Sequence, residues 1–375
     1  MTLGTRLSLS ALVAGVAGLL AACSPAIITP PAETVTVTPA ENRDVVPSPP
    51  EDPVPAVVWP LTGLSAVGAP TADLNRVPIP IKVENTANGR PQKGLEYADI
   101  VFEEYINSAC LRLMAIFHST YPEDVGPIRS ARNMDPNIVG SFKTVLVASG
   151  SNYGVQSTFR NLGQLFYADD FSGTTGLLQG SEGFHRVPRS QVDKDQEFRL
   201  WGHPATFAEE AVADGIGPAT QQFDYAYPAT DATASVAGTP VGTIDLKYSS
   251  CGHPHWVWDA ALGVWQRFEF DDPHMTMDGN QINAANVIIL RVKVAYTNGY
   301  NPESFVIVSD APGFVATGGN VVPIVWTKAD RGDTFHLSTL DGDPVYLAPG
   351  QTWIEMVPLS GAKTTAVISF DGVVQ

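Results

Sequence analysis

The sequence predicts an α+β protein, with a layered α/β domain in its N-terminal half and a smaller, mostly antiparallel β domain after it. Three observations predict this. Between residues 78 and 217, short apolar runs of strand length alternate with segments of helical character, the mark of layered α/β architecture. From residue 241 onward the apolar runs are short, β-rich and separated by Gly, Asp, Asn and Pro, as in an antiparallel sheet or small barrel. The first 58 residues show neither period and stand outside the folded part.

The N-terminus reads as a targeting signal. Arg6 is the one charge before an uncharged run of small and apolar residues, Leu7 to Ala22, which ends in Leu20-Ala21-Ala22-Cys23. Basic start, apolar middle and small-residue cleavage site make a secretory signal over 1–22. The run is short for a helix crossing a bilayer, which needs about 20 residues. A cysteine directly after small residues resembles the bacterial lipobox, in which the thiol takes up a diacylglycerol and the new N-terminus receives a fatty acyl chain such as palmitate. Two or three chains anchor a protein stably, at about 0.8 kcal/mol per buried CH₂. The expected location is therefore the outer, extracytoplasmic face of the cytoplasmic membrane, with lipid on Cys23. Residues 23–58, dense in Pro, Thr, Ala, Val and Glu, form a semi-rigid tether.

Residues 59–375 suffice for two domains with buried cores. The first, 59–225, holds the strand candidates PIPIKVE (78–84), ADIVFEEYI (98–106), LRLMAIFH (111–118) and TVLVASG (144–150). DPNIVGSF (135–142) reads as a helix opened by an Asp cap and an early proline. NYGVQSTFRNLG (152–163) and PATFAEEAVADGIG (204–217) read as helices closed by glycine. A linker over 226–240, rich in Ala, Thr, Pro and Gly, leads to the second domain, 241–375. Its strands are expected at 241–249, 255–260, 264–270, 286–296, 304–309, 320–328, 343–348 and 352–357.

The formal net charge of −17 argues against nucleic acid as a partner, since such binding neutralises phosphates with Lys and Arg. With Cys23 lipidated, Cys110 and Cys251 remain. Export permits a disulfide between them; otherwise Cys110, in an apolar stretch, is a small buried hydrophobe.

Several ordered blocks resemble a known family. They are WPLTG (59–63), NGRPQKGLEYADIVFEE (88–104), LRLMAIFHS (111–119), GPIRSAR (126–132), VVPIVWTKADRGDTF (321–335) and LDGDPVYLAPGQTWIEMVP (340–358). Together they are similar to the YerB-like bacterial lipoproteins, classed as domains of unknown function. The resemblance implies an N-terminal α/β domain, a smaller C-terminal β-rich domain and surface anchoring, and it supplies no reaction. Members usually carry Pro-His-Asn after the helical region, and this chain does not. GHPATF (202–207) is the nearest equivalent, which makes His203 the matching residue.

Three groups of residues could carry chemistry. Arg129 and Arg132 in GPIRSAR, joined by Arg112, can converge on an anion through planar guanidinium forks; the competing reading pairs them internally with Glu103, Glu104 or Asp99. Glu103 and Glu104 end a strand, and alternation sends them to opposite faces. Either could serve as a general base beside Arg112 and His118, though a salt-bridged acid is the commoner case. Cys251, His253 and His255 have ligand chemistry for zinc or copper but lack a distant partner motif, so no metal and no cofactor are expected. Arg331-Gly332-Asp333 reads as a turn, Gly318-Gly319-Asn320 as a hairpin, and the tryptophans 256, 258, 265, 326 and 353 as core before sugar-stacking platforms.

The expected function is binding of an anionic cell-envelope component, such as a cell-wall polymer, or of another envelope protein. Arg112, Arg129 and Arg132 would make the contact, with Glu103, Glu104, His118 and His203 nearby. The alternative is an envelope-polymer hydrolase or transferase built on a Glu/Arg/His site.

Overall fold

Strand alternation sets the layers of this protein, and the two neighbours Glu103 and Glu104 show how. The computed structural model describes residues 54–169, 180–296 and 301–375. The signal, Cys23 and the tether up to residue 53 lie outside them. Residues 51–375 form one compact unit.

One large sheet crosses the unit, in the order His336–Thr339, Asn320–Lys328, Val308–Thr317, Asn286–Tyr296, Thr352–Ser360, Ile100–Tyr105, Leu111–Phe117, Ile79–Glu84, Leu146–Ala148 and Phe166–Ala168. Most neighbours are antiparallel. The exceptions are at the centre, where Thr352–Ser360 lies parallel to both Asn286–Tyr296 and Ile100–Tyr105, and at the edge, where Ile79–Glu84, Leu146–Ala148 and Phe166–Ala168 run parallel. The protein is thus α+β, and strands from both halves of the chain meet in one sheet. Residues 226–240 contain the short helix Thr233–Ala237 and a two-residue strand, Thr239–Pro240, on the edge of the same sheet.

Alternation buries both faces. One face presents Phe102, Glu104, Arg112, Met114, Lys82 and Glu84, aligned across three strands by the pairs Phe102↔Met114, Lys82↔Met114, Glu104↔Arg112 and Glu84↔Arg112. The helix Asp135–Phe142 covers it, with Phe142 edge-on to Phe102 at 6.3 Å. Asp135 lies inside the first turn, not at the cap as the sequence suggests; its carboxylate accepts from the Arg132 backbone N–H at 2.6 Å and from Lys82 at 3.0 Å. Asn152 does cap its helix, Tyr153–Asn161, by accepting from Val155 N–H at 3.0 Å.

The other face presents Val101, Glu103, Trp353 and Glu355, with Glu103 opposite Glu355 in register. A second sheet packs here, ordered Val264–Glu269, Pro254–Asp259, Thr243–Lys247, Val367–Phe370. Trp256, Trp265 and Trp326 are fully buried and Trp353 nearly so, which assigns these rings to the core. At the seam Arg267 donates to both oxygens of Glu103 (3.0 and 2.7 Å) and to Glu269 (3.0 Å), and it bonds His274. Its guanidinium stacks over Trp353 at 4.9 Å. Trp353 donates to Glu103 at 3.2 Å and Trp256 to Glu355 at 2.9 Å. Burial, followed by the Glu103 charge, pushes the Glu355 carboxyl well above its usual range.

Cys110 and Cys251 form a disulfide, Cα–Cα 4.8 Å, that ties the connection between Ile100–Tyr105 and Leu111–Phe117 to the loop between Thr243–Lys247 and Pro254–Asp259 of the second sheet. That bond removes the thiolate from the Cys251-His253-His255 group, and both imidazoles turn to Asp245 instead (2.9 and 3.5 Å).

Removing one partner of a buried ion pair leaves an uncompensated charge and costs about 3–5 kcal/mol. Arg267→Met, which strands Glu103 and Glu269 inside the seam, is expected to lower the unfolding free energy by that order, read by urea denaturation at neutral pH. A loss below about 1 kcal/mol, the range of exposed pairs, would show that the seam does not depend on this cation.

Candidate functional site

The site grows from the strand Ile79–Glu84. Ile79, Ile81 and Val83 take one face, so Lys82 and Glu84 share the other, two residues apart. The segment 126–132 runs alongside: Arg129 N–H donates to the Lys82 carbonyl (2.9 Å), Glu84 N–H to the Pro127 carbonyl (3.0 Å), and Ile128 N–H to the Leu200 carbonyl (2.7 Å). This stitching holds Arg129 and Arg132 over the face that already carries Arg112.

Glu84 is the hub. One carboxylate oxygen accepts from Arg112 at 2.9 Å and from Arg129 Nε at 2.8 Å. The other accepts the backbone N–H groups of Asn85 and Thr86, each at 3.0 Å. Burial alone would raise its pKa, but Arg112, Arg129 and the Thr86 amide hold it down at about 2. Arg112 is depressed to about 10, first by burial and then by the adjacent Arg132 charge. Arg132 spends one terminal nitrogen on the carbonyls of Ser130 (3.3 Å) and Ala131 (3.0 Å). The Nε atoms of Arg112 and Arg132 are buried with no hydrogen-bond partner among the described residues.

Deeper in, Lys82 sits between Glu104 and Asp135, bonded to both. Burial, then repulsion from Asp135, pushes Glu104 up to about 8. The cluster therefore gathers four basic side chains, Lys82, Arg112, Arg129 and Arg132, around three carboxyls, Glu84, Asp135 and Glu104, the last of which burial drives toward its neutral form. Half-exposed Glu197, 3.6 Å from Arg129, is a weak addition at the rim. The surplus is positive, in a chain of net charge −17. Arg129, about a quarter exposed, faces outward over the Phe198 ring at 5.2 Å. Phe198 also lines an open cleft of about 370 Å³ with Arg90 and Lys194.

The structure thus brings Arg112, Arg129 and Arg132 together with Glu104 beneath them, and separates Glu103, His118 and His203 from them. The internal partner of the arginines is Glu84, in place of Glu103, Glu104 or Asp99. Glu103 belongs to the seam on the opposite face. Asp99 accepts from the backbone of His118 and Ser119 at 2.6 and 2.9 Å. His118 is fully buried, edge-on to Trp59 at 5.7 Å, and burial lowers it to about 4. His203 stacks on His185 instead. Lys82, Glu84 and Asp135 were missed by sequence reasoning; the readable signal was two charges at a spacing of two in an otherwise apolar strand.

The chain matches two parts of one family: the protein of unknown function (DUF3048) N-terminal domain over residues 61–201, and its C-terminal domain over 244–354. Together they span more than half of the chain. It is 25 % identical over 313 residues to the putative lipoprotein YerB of Bacillus subtilis (strain 168), covering 80 % of this chain and 86 % of the relative. The crystal structure of the Bacillus subtilis YerB protein superposes with a TM-score of 0.67 at 20 % identity, over 80 % of this chain and 96 % of that one. That likeness establishes the fold.

The pKa of Glu104 makes a testable sign. Its folded value of about 8 lies above the ordinary 4.5. The native carboxyl therefore holds its proton more tightly than the unfolded one, and the associated stability is full below about pH 4.5 and lost as pH rises toward 8. Glu104→Gln has no proton to lose, so its stability relative to the parent should climb across that window in urea unfolding curves. A difference independent of pH would mean that Glu104 is ionised in the fold.

Proposed function

Since the chain belongs to the DUF3048 family, we propose that it is a lipid-anchored protein of the extracytoplasmic membrane face that binds an anionic polymer of the cell envelope through Arg129 and Arg132. Anchoring rests on Leu20-Ala21-Ala22-Cys23 and the Pro-rich tether, and on the similarity to the putative lipoprotein YerB of Bacillus subtilis. No helix among the described residues is long and apolar enough to cross a membrane.

The observation that carries the binding reading is two guanidiniums bonded to one saturated carboxylate with a third, Arg132, beside them. Glu84 already accepts four hydrogen bonds, so Arg132 and the outward edge of Arg129 have donors to spare. Guanidinium forks suit carboxylate or phosphate. The Phe198 cleft adds Arg90, Arg189 and Lys194 against Asp193 and Asp195, so basic side chains extend beyond Arg129, which favours a ligand with repeated charges over a single small anion. A hydrolase or transferase needs an acid or base open to substrate. Glu103 and Glu104 are fully buried, on opposite faces, each committed to a cation.

Two experiments test this reading. Cys23→Ala is expected to leave the protein out of the membrane pellet and without incorporated radiolabelled palmitate; retention of label would place the acyl chains elsewhere. Arg129→Ala/Arg132→Ala should bind a soluble polyol-phosphate polymer and peptidoglycan fragments on the order of 100-fold more weakly, taking each charged hydrogen bond at about 1.5–3 kcal/mol. The melting temperature should hold, because Arg112 still neutralises Glu84. Undiminished binding, or a large loss of stability, would assign the arginines to structure. The two ligands distinguish phosphate from peptide carboxylate.

A further inference from the structure

A second cluster of side chains lies on a small platform beside the main sheet. The strands Phe184–Arg186 and Leu200–Gly202 pair antiparallel with His185 opposite Trp201, and Val125 bridges Gly202 on the other side. Counting in register from Gly202 puts Asp124, His185, Trp201 and His203 on one face of this ribbon. The two imidazoles stack with centroids 4.4 Å apart and planes 10° from parallel. Asp124 Oδ1 is 3.2 Å from both His185 Nε2 and His203 Nδ1. Among the described residues that buried oxygen has no aligned hydrogen-bond donor.

We propose that Asp124, His185 and His203 form a binding site for a divalent transition-metal ion of the zinc class, with a coordination position left open to solvent. One donor atom from each residue lies within 4.8 Å of the others. Tetrahedral zinc, with ligands at about 2.0–2.2 Å, sets neighbouring donors about 3.3 Å apart; Asp124 Oδ1 and His185 Nε2 already meet that spacing, and a turn of the His203 ring brings its Nε2 to it. His203 Nδ1 donates to the Glu123 carbonyl at 2.8 Å; a carbonyl only accepts, so Nδ1 carries the proton and Nε2 presents its lone pair. Such an outer contact is what orients metal-bound histidines. Side-chain exposure of 33 % for His185 and 40 % for His203, against 18 % for Asp124, leaves the outward side accessible. Two histidines and a carboxylate with an open position are a donor set that zinc and iron(II) both accept.

The test is zinc titration of the full-length, chelator-stripped protein by isothermal calorimetry, repeated with Co²⁺ to read its visible absorption. One Zn²⁺ per chain is expected. Asp124→Asn and His185→Ala/His203→Ala should each lose at least about 100-fold in affinity, the upper end of what removing even an outer-shell partner costs. Circular dichroism melting of Asp124→Asn, which is nearly isosteric, separates ligand loss from unfolding. His253→Ala/His255→Ala, which changes the two imidazoles at Asp245, should bind as the parent does. The proposal fails if no zinc binds, if binding survives in the His185/His203 variant, or if it is lost with the His253/His255 pair instead.

Discussion

The contact between Arg267 and Glu103 joins residues 164 positions apart, and much of the remaining arrangement depends on it. Glu103 sits on a central strand with no solvent on either side. Its carboxylate is admitted only because a cation from the second sheet meets it there, with Trp353, Asn85 and Glu269 completing its surroundings. An unpaired buried carboxylate would cost several kcal/mol, so the second sheet has one way to dock. Period two then does the rest. With Glu103 held on the seam side, Glu104 must point to the other face, beside Arg112 and Lys82. The placement of the arginine site follows from a contact on the opposite side of the sheet.

The two faces use similar residues for different ends. On the seam, Arg267 is ringed by Glu103, Glu269 and Glu355, and His274 beside it is driven well below its usual pKa by burial and then by the Arg267 charge. Acids outnumber cations there, tryptophans cap them, and burial pushes Glu103 and Glu355 above the usual carboxylate range. Across the sheet the balance reverses: basic side chains outnumber carboxyls, and the outermost guanidinium is partly exposed. A closed network with excess acid stores cohesion, whereas an open one with excess cation attracts anions. Charge imbalance and exposure, more than residue type, separate structure from site here.

Local chemistry made much of this legible. Asn286–Tyr296 and Asn320–Lys328 have the bounds that their apolar runs suggest, and the Gly318-Gly319 turn does close a hairpin, with Thr317 paired to Asn320. Glu103 and Glu104 diverge as alternation requires. Other features were hidden for physical reasons. Phe166–Ala168 and Leu200–Gly202 are three residues long, too short to show a period. Val308–Thr317 contains Pro312 and Gly313, which read as a break. Glu84 and Arg267 were visible as charges in strands, but pairing across the sheet depends on register, which no local pattern carries. The same holds for Asp124, His185 and His203, which converge from a loop, a three-residue strand and a helix cap without a spacing motif.

The strand Thr352–Ser360 comes near the end of the chain yet lies in the middle of the sheet, parallel to a strand from each half. Without it, Ile100–Tyr105 has one unpaired edge, and Glu103 lacks Trp353. A bare, apolar edge of this kind invites pairing with other chains. The two family segments, 61–201 and 244–354, are therefore units of sequence that complete one another in space. Lys82, Glu84, Arg112, Arg129 and Arg132 all come from the first segment, but the strand that orients Glu104 beneath them is held by the second. The geometry of the arginine cluster and the integrity of the C-terminal half are consequently coupled through a single pair of adjacent glutamates.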